Sequence, residues 1–386
     1  MKLVDQNQLG ELMWELMSAR PAPGVSIYLT AWPGGAGARK DPIYLKNLLR
    51  KAEERLARRG VQPSRRGYTM LAPLWNLVEN RELWRRTAGG LALFSSVDLQ
   101  RGLVWPAPFT PRCVVGYHFH TRPLIAATRD TRRYYVLAVS PKATRLLRCT
   151  RFATERVEHP LLPESMAAAL PFDDPEPQLQ YRTHPSGAGT GAVFHGHDEG
   201  QAPQNRDRRY LLLVRDAVAT VLGDEQAPLV VAMTEALASQ FLELNRYPHL
   251  VEDPVATSPD PLGDDELRDR AWERIEPLLR QEEERASSRL MDLVHTDRGA
   301  ARVEEVVPLA AQGRVDSLFI AGGAERWGWL DEDQTVRIEG DGAYRPGRRE
   351  LLDLAAQSTL LNRGRVYEVP AARMPGGAPV AAILRY

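Results

Sequence analysis

Cysteine is scarce in this sequence: the 386 residues include only two, Cys113 and Cys149. Both lie in short apolar runs of strand length, RCVVGY and RLLRCT. Two cysteines are too few for a disulfide framework or for a zinc site of the usual kind. The sequence therefore excludes a small disulfide-stabilised secreted domain, and it fits a reducing compartment.

Long hydrophobic runs are missing as well. No stretch of about 18 apolar residues occurs, which is the length that a membrane-spanning helix needs. The opening residues, MKLVDQNQLGELMWELM, carry Asp5, Glu11 and Glu15 where a signal peptide requires an uninterrupted apolar core. We therefore expect a cytoplasmic protein without a membrane partner.

The sequence also lacks a net charge, since 50 basic residues balance 50 acidic ones. There is thus no global electrostatic attraction to nucleic acid. The charges are nevertheless unevenly placed: arginine clusters at 145–151, 206–215 and 345–349, while 260–284 is strongly acidic. Any contacts with phosphate groups must therefore be local.

The overall composition is that of a globular protein, with 43% hydrophobic and 26% charged residues and with 29 glycines and 29 prolines. A single core stops growing at about 250 to 300 residues, so this chain needs more than one. We predict a mixed α/β and α+β fold in three domains. These are an α+β domain over 1–125, an α/β middle domain over 126–255 and a three-layer α/β domain over 256–386.

The amino-terminal domain contains clear strand and helix patterns. Residues 24–30, GVSIYLT, alternate as a strand does, and the following WPGGAGARKDP cannot continue it. This segment predicts a basic loop that carries Arg39 and Lys40. From Ile43 the apolar residues recur at helical spacing, and Gly60 marks the end of the helix.

The middle domain opens with two short strands, YYVLAVS and RLLRC, that predict a hairpin. The Pro- and Gly-rich FDDPEPQLQYRTHPSGAGTGA predicts an exposed loop. Apolar residues then recur at helical spacing, and LVVAM reads as a buried strand. This order of elements is typical of a layered α/β domain.

The third domain begins with a predicted long helix, 264–295, followed by a short helix through 303–312. The strand DSLFIAGG, an excursion WGWLDEDQTVRIEGDG, the helix LLDLAAQSTLLN and the strands VYEVP and APVAAILRY follow. Helices alternate with strands, which predicts a three-layer α/β arrangement.

The string HGHDEGQ, residues 195–201, is the most informative candidate for chemistry. His195 and His197 face the same side of an extended segment and could bind a metal ion, with a metal-dependent hydrolase or nuclease as the corresponding function. The alternative is a polar loop whose glycines serve backbone turns. No further ligand with a recognisable spacing follows, so we predict no metal and no cofactor.

Other catalytic motifs find little support. No GxSxG elbow occurs, and neither cysteine has a context that would activate it. The glycine pairs in GGAGARK and AGGAERWG lack the GxxxxGK[ST] spacing of a phosphate-binding loop. We therefore interpret them as turns.

The arginines that follow HGHDEGQ allow two interpretations. They are Arg206, Arg208, Arg209 and Arg215. As a charge run they are typical of the solvated face of an amphipathic helix. Alternatively, an arginine-lined helix beneath a polar loop can hold that loop against a phosphate backbone.

Several strings together resemble a known family. VSIYLT, DPIYLKNLLRKAEERL, GGLALF, YYVLAVS, VFHGHDEGQ, NRYPHLVED, GRVDSLFIA, LLDLAAQSTLLNRGRVYEVP and APVAAILRY are similar to the bacterial members of the archaeo-eukaryotic release factor family, its third subfamily, which is related to Pelota. The resemblance covers almost the whole chain. It implies an N-terminal domain that reaches toward the decoding centre, a middle domain with a loop toward the peptidyl-transferase centre, and a Pelota-type C-terminal domain that contacts partner proteins.

The resemblance also assigns residues. Gly200 and Gln201 match the end of the family's Gly-Gly-Gln loop, in which the glutamine positions water for attack on the peptidyl-tRNA ester. Glu199 replaces the first glycine with a bulky anionic side chain, which argues against peptide release. Contacts with RNA are expected from Arg39, Lys40, His195, His197, Arg206, Arg208, Arg209 and Arg215.

The function implied is that of a translation factor that occupies the A site of the 70S ribosome. No stop-codon-reading motif of the NIKS type is present, so we expect ribosome hibernation or rescue, as part of a stress response. Ribosomal RNA, tRNA and a translational GTPase such as elongation factor Tu are the expected partners of a monomer. A peptidyl-tRNA ester hydrolase that uses Gly200 and Gln201 is the alternative, so enzyme activity is left open.

Overall fold

The computed structural model describes residues 1–21, 23–32, 37–61, 68–171, 202–341 and 348–386. Two compact units are present. One combines Met1–Thr131 with Gln281–Tyr386, and the other is Arg132–Arg280. The division into three domains stays a prediction.

The amino-terminal part of the first unit is built on a five-stranded sheet. Its strands are β1 (Lys2–Val4), β2 (Gly24–Ala31), β3 (Gly89–Ser95), β4 (Gln100–Trp105) and β5 (Arg112–Gly116), in the order β1-β4-β3-β2-β5. Only β1 and β4 pair in parallel. The helices of this part are α1 (Leu9–Ser18), α2 (Gly37–Ala57), α3 (Tyr68–Val78), α4 (Arg81–Arg86) and α5 (Arg122–Ala127).

The two faces of β2 bury different side chains because alternate residues of a strand point to opposite sides. Val25, Ile27 and Leu29 pack in one core cluster with apolar residues of α2 and α3. On the other face, the Tyr28 ring makes an edge contact with Phe94 at a centroid distance of 5.6 Å. The predicted strand is therefore confirmed, and both of its faces are covered.

The predicted basic loop is wrong for residues 37–40, because α2 already begins at Gly37. Pro42 lies inside this helix. A proline near the start of a helix removes a single bond to the preceding turn, so the helix continues. The buried carboxylate of Asp41 accepts the backbone N–H of Trp32 at 2.9 Å, which ties the end of β2 to the start of α2. Lys40 is therefore part of a helix.

The carboxyl-terminal part of the first unit contains two sheets. The first has the order β11-β17-β12-β16, with strands β11 (Gly299–Ala300), β12 (Val315–Ala321), β16 (Arg365–Val369) and β17 (Val380–Leu384). The second has the order β14-β13-β15, with β13 (Arg326–Leu330), β14 (Val336–Asp341) and β15 (Arg349–Glu350). The helices α10 (Val303–Ala311) and α11 (Leu351–Leu361) contact each other and β12. The predicted excursion thus contributes β13 and β14 to a small antiparallel sheet, which β15 completes.

The second unit has a five-stranded sheet with the order β10-β9-β6-β7-β8. Its strands are β6 (Tyr134–Val139), β7 (Thr144–Cys149), β8 (Thr154–Arg156), β9 (Leu229–Met233) and β10 (Val255–Ala256). The pair β6–β7 is the predicted hairpin, and β6, β9 and β10 run in parallel. The helices are α6 (Met166–Ala169), α7 (Ala202–Leu222), α8 (Glu235–Leu244) and the first part of α9 (Asp264–Leu293).

The side chains of β6 point alternately to the two faces of the sheet, and helices cover each face, so this unit has three layers. Tyr135, Leu137 and Val139 belong to the core cluster that contains α7 and α8. The intervening Tyr134, Val136 and Ala138 pack against α9. The sheet is therefore covered on both faces, as apolar runs such as LVVAM predict.

The predicted mixed α/β fold is confirmed by these sheets and helices. Among the described residues, no helix is both long and apolar enough to span a membrane.

Candidate functional site

The loop that the sequence singles out lies outside the described residues. Gly200, Gln201, His195 and His197 all belong to 172–201. Their roles in release, RNA binding or metal binding stay predictions. The described residues contain no group of three or more His, Cys, Asp or Glu side chains that could hold a metal ion.

Helix α7 begins directly after Gln201 and is anchored to the sheet by its buried side. Tyr210, Val214 and Val218 lie in the core cluster with β6 and β9. The Tyr210 hydroxyl lies 3.1 Å from the backbone oxygen of Ser140, to which it donates. Burial raises the pKa of Tyr210, so the hydroxyl keeps its proton at neutral pH. The orientation of the helix about its own axis is therefore fixed.

This orientation decides which predicted arginines face solvent. Arg208 and Arg209 are exposed and Arg206 is half-buried, all within the first turns of the helix. Arg215 differs, because its side chain is only 12% exposed and it pairs with Asp216 at 2.7 Å. A guanidinium engaged in this way has little left for a phosphate group. Arg208 and Arg209 are the most exposed of the four, and this exposure favours them for contact with RNA.

A second exposed surface lies in the amino-terminal part of the first unit. Trp32, Ile43 and Tyr44, here called the Trp32 surface, are 60%, 59% and 54% exposed. Lys40 is exposed on the same helix as Tyr44. The side chain of Arg39 lies outside the described residues. Aromatic rings beside cationic side chains can stack on unpaired bases and contact phosphate groups.

The Trp32 surface is not evident from the sequence because Ile43 and Tyr44 belong to the apolar pattern of α2. Leu45, Leu49 and Ala52 occupy its buried face. Ile43 and Tyr44 fall outside that face, and this offset is the signal that could have identified them.

The two cysteines are not nucleophiles. Cys113 on β5 and Cys149 on β7 are both buried. Burial raises the pKa of Cys113 to about 11 and that of Cys149 to about 12. The thiolate is the reactive form, so neither side chain is activated at neutral pH. This agrees with the interpretation from sequence.

The second glycine pair is a turn, as predicted. Gly322 and Gly323 follow β12, and the N–H of Ala324 donates to the backbone oxygen of Ala321 at 3.1 Å. Gly323 has a φ of +74°, a conformation that glycine adopts at no steric cost. The first pair, in GGAGARK, lies mostly outside the described residues.

A buried polar cluster in the first unit was not foreseen from the sequence. The carboxylate of Asp353 accepts the N–H of Thr121 at 3.0 Å and the side-chain amide of Gln357 at 2.9 Å. The Nδ1 atom of His120 lies 3.6 Å from the same carboxylate, beyond hydrogen-bond length. Burial works to raise the pKa of Asp353, but His120, Arg349 and the Thr121 N–H together lower it, so Asp353 is ionised.

A neighbouring carboxylate caps the helix that carries Asp353. Glu350 accepts the backbone N–H groups of Leu352 at 3.2 Å, Asp353 at 2.6 Å and Arg326 at 2.9 Å. The N–H groups of Leu352 and Asp353 are donors that the first turn of a helix leaves without partners, so the cap fixes the start of α11. Burial raises the pKa of Glu350.

The middle of the chain matches a known protein family. Residues 133–314 match the family described as bacterial archaeo-eukaryotic release factor family 3. The predicted resemblance is confirmed over this segment. A search of the curated proteins finds no match.

The solved structures that match this chain include a release factor and Pelota proteins. An archaeal translation termination factor, aRF1, is 14% identical over 100% of this chain and 99% of that chain, with a TM-score of 0.25. Pelota from Archaeoglobus fulgidus is 13% identical over 77% and 79%, with a TM-score of 0.32. A chain of the model of ribosome-bound archaeal Pelota and ABCE1 is 12% identical over 99% and 95%, with a TM-score of 0.37. These TM-scores are low, and the family assignment rests on residues 133–314 alone.

Proposed function

We propose that this protein is a cytoplasmic, monomeric translation factor that binds the 70S ribosome. The observation that carries the proposal is the exposed pair Arg208 and Arg209. They lie at the start of a helix that follows Gln201, inside a segment that matches a release factor family. Guanidinium groups form charge-assisted bonds with phosphate oxygens, and the chain needs such local clusters because its net charge is zero.

Within this proposal the protein occupies the A site without reading a stop codon, and it acts in hibernation or rescue. The sequence has no NIKS-type motif for codon reading, and the Trp32 surface offers unspecific stacking instead. Ribosomal RNA is the direct partner. Contacts with tRNA are made by the middle domain, and a translational GTPase such as elongation factor Tu accompanies the factor.

The alternative function is peptidyl-tRNA ester hydrolysis by Gly200 and Gln201. The arginines of α7 support it too, because they directly follow the glutamine. Glu199 argues against it, since a carboxylate beside the reacting ester would repel the phosphates of tRNA and ribosomal RNA.

The two functions separate in one experiment. Purified protein is sedimented with empty 70S ribosomes through a sucrose cushion, and peptidyl-tRNA release is assayed in parallel on ribosomes that carry it. Binding without release supports the proposed occupant of the A site. Release that disappears in Gln201→Ala, with binding retained, supports the hydrolase, and absence of binding at low salt contradicts both.

A further inference from the structure

The first unit contains a cavity of about 300 Å³ beside the buried polar cluster. It lies between the end of β5, the strands β13 and β15, and the start of α11. The lining residues that matter here are Arg59, Tyr117, His118, His120, Trp329 and Arg349. None of them belongs to the loop or to the arginine helix considered above.

The walls of this cavity combine aromatic rings with guanidinium groups. The Arg59 guanidinium lies 5.0 Å from the centroid of the Tyr117 ring. The Arg348 guanidinium lies 4.1 Å from the centroid of Trp329, and it is held there by two hydrogen bonds of 2.6 Å to Glu339. Such surfaces present flat faces on which a planar ring can stack.

Three buried nitrogen atoms of the lining residues have no hydrogen-bond partner among the residues that the structure describes. They are Nε of Arg59, Nδ1 of His120 and Nε of Arg349. Buried polar atoms in folded proteins nearly always find a partner, so three such atoms around one cavity need an explanation. Oxygen atoms of a bound molecule are the simplest partners for the two Nε–H groups.

Arg349 offers a cationic donor to a negatively charged group of such a molecule. In the described part of the chain its only hydrogen bond goes to the neutral side-chain oxygen of Gln357, at 2.7 Å, and it forms no ion pair. Burial lowers the pKa of Arg349 to about 10, so the guanidinium remains charged at neutral pH. A half-buried cation with a single neutral partner is costly unless an anion accompanies it.

The two carboxylates of the cavity wall already accept other donors. Glu350 is occupied by three backbone N–H groups, and Asp353 by Thr121 and Gln357. Burial, followed by the positive charges of Arg349 and Arg20, lowers the pKa of His118 to about 3. His118 is therefore neutral. Asp353 and Glu350 act on Arg349 through space and raise its pKa, but neither accepts a hydrogen bond from its guanidinium among the described residues.

We propose that this cavity binds a nucleotide, with the phosphate at Arg349 and Arg59 and the base against the rings of Tyr117 and Trp329. A lone phosphate ion does not account for the size, because 300 Å³ is roughly ten times the volume of one water molecule in the liquid. The volume matches the lower end of the range for small-ligand pockets. The nucleotide is either a free nucleoside monophosphate or an unstacked nucleotide of single-stranded RNA.

The test is isothermal titration calorimetry of the full-length protein without ribosomes, so that its outcome is independent of the proposed function. The probes are AMP, GMP, UMP, inorganic phosphate and a single-stranded tetraribonucleotide. Arg349→Gln is expected to weaken nucleotide binding at least tenfold. Trp329→Leu is expected to weaken nucleotide binding but not any binding of phosphate. Arg302→Gln, whose side chain is 70% exposed in the same unit, is the control and should bind as the wild type does.

The outcomes distinguish a free nucleotide, an RNA partner and no nucleotide site. Binding of a monophosphate supports a free ligand, and binding of the tetraribonucleotide alone supports an RNA partner. Binding of no probe, equal affinity for phosphate and nucleotides, or unchanged affinity in Arg349→Gln overturns the proposal. If Arg349→Gln does not fold, as judged by thermal unfolding, Arg59→Gln at the end of α2 takes its place with the same expectation.

Discussion

The carboxylate of Asp353 accepts the backbone N–H of Thr121 at 3.0 Å, across 232 residues of sequence. The Thr121 hydroxyl and the Gln357 amide donate to the same carboxylate, at 3.2 and 2.9 Å. The Gln357 amide also donates to the backbone oxygen of Phe119 at 2.9 Å. These bonds join the amino- and carboxyl-terminal stretches of the first unit.

Replacing Asp353 should destabilise the first unit. In Asp353→Asn an amide N–H₂ group replaces one acceptor oxygen, so at least one buried donor loses its partner. We expect a loss of about 2 kcal/mol in the free energy of unfolding, measured by urea titration. Asp98→Asn, at an exposed position of the same unit, should change this value by less than ~0.5 kcal/mol. Equal stability of the two variants would mean that the Asp353 bonds contribute nothing.

Gly328 should be intolerant of any side chain. A Cβ atom at this position would lie 2.0 Å from the carbonyl oxygen of Arg337 on the neighbouring strand β14. Because that atom is backbone, the two strands must separate, and Gly328→Ala should cost about 1–3 kcal/mol of unfolding free energy. The control is Gly10→Ala in α1, where a Cβ meets no atom within 4 Å. Thermal unfolding should leave Gly10→Ala unchanged or slightly more stable, and the idea fails if Gly328→Ala matches it.

Asp264 should make the stability of the second unit depend on pH. Arg156 and Arg145 donate to its carboxylate at 2.5 and 2.8 Å. Burial works to raise the pKa of Asp264, but these bonds outweigh it, so the pKa lies below the ordinary 3.8. A carboxyl group with a lowered pKa stabilises the fold above its unfolded-state pKa, and this contribution disappears as the pH falls through the folded-state value.

The corresponding experiment compares Asp264→Asn with the wild type in urea at several pH values. The variant should be less stable by about 1 kcal/mol at pH 7, and the difference should shrink below pH 3.8. Asp224→Asn, exposed in the same unit, should show no such dependence. A difference between Asp264→Asn and the wild type that is constant with pH would rule out ionisation of Asp264 as its source.

The sequence predicts those elements whose apolar residues have a regular period. β2 and α7 follow from such periods, and the β6–β7 hairpin follows from two short apolar strands. The start of α2 does not, because glycine and proline in GGAGARKDP favour a loop, whereas the bond from Trp32 to Asp41 stabilises a helix there. Local composition cannot reveal a bond between a strand end and a helix start.

The site could be predicted only in part for a similar reason. The arginines of α7 are adjacent in sequence and were identified, but the low exposure of Arg215 depends on how the helix packs. The cluster of His120, Thr121 and Asp353 escaped notice because it assembles residues more than 200 positions apart. Its members are unremarkable in their local sequence, and only the tertiary fold brings them together.

Ribosome binding through local arginine contacts can be measured by co-sedimentation with empty 70S ribosomes at increasing salt. We predict that the wild type binds at low salt and loses affinity as salt rises. Arg208→Gln should bind more weakly, with a salt slope reduced by about one, because each phosphate contact releases roughly one counterion. Arg86→Gln, whose side chain is 80% exposed in the first unit, should match the wild type. Absence of co-sedimentation at low salt would rule out ribosome binding, and identical salt slopes for Arg208→Gln and the wild type would rule out a phosphate contact of Arg208.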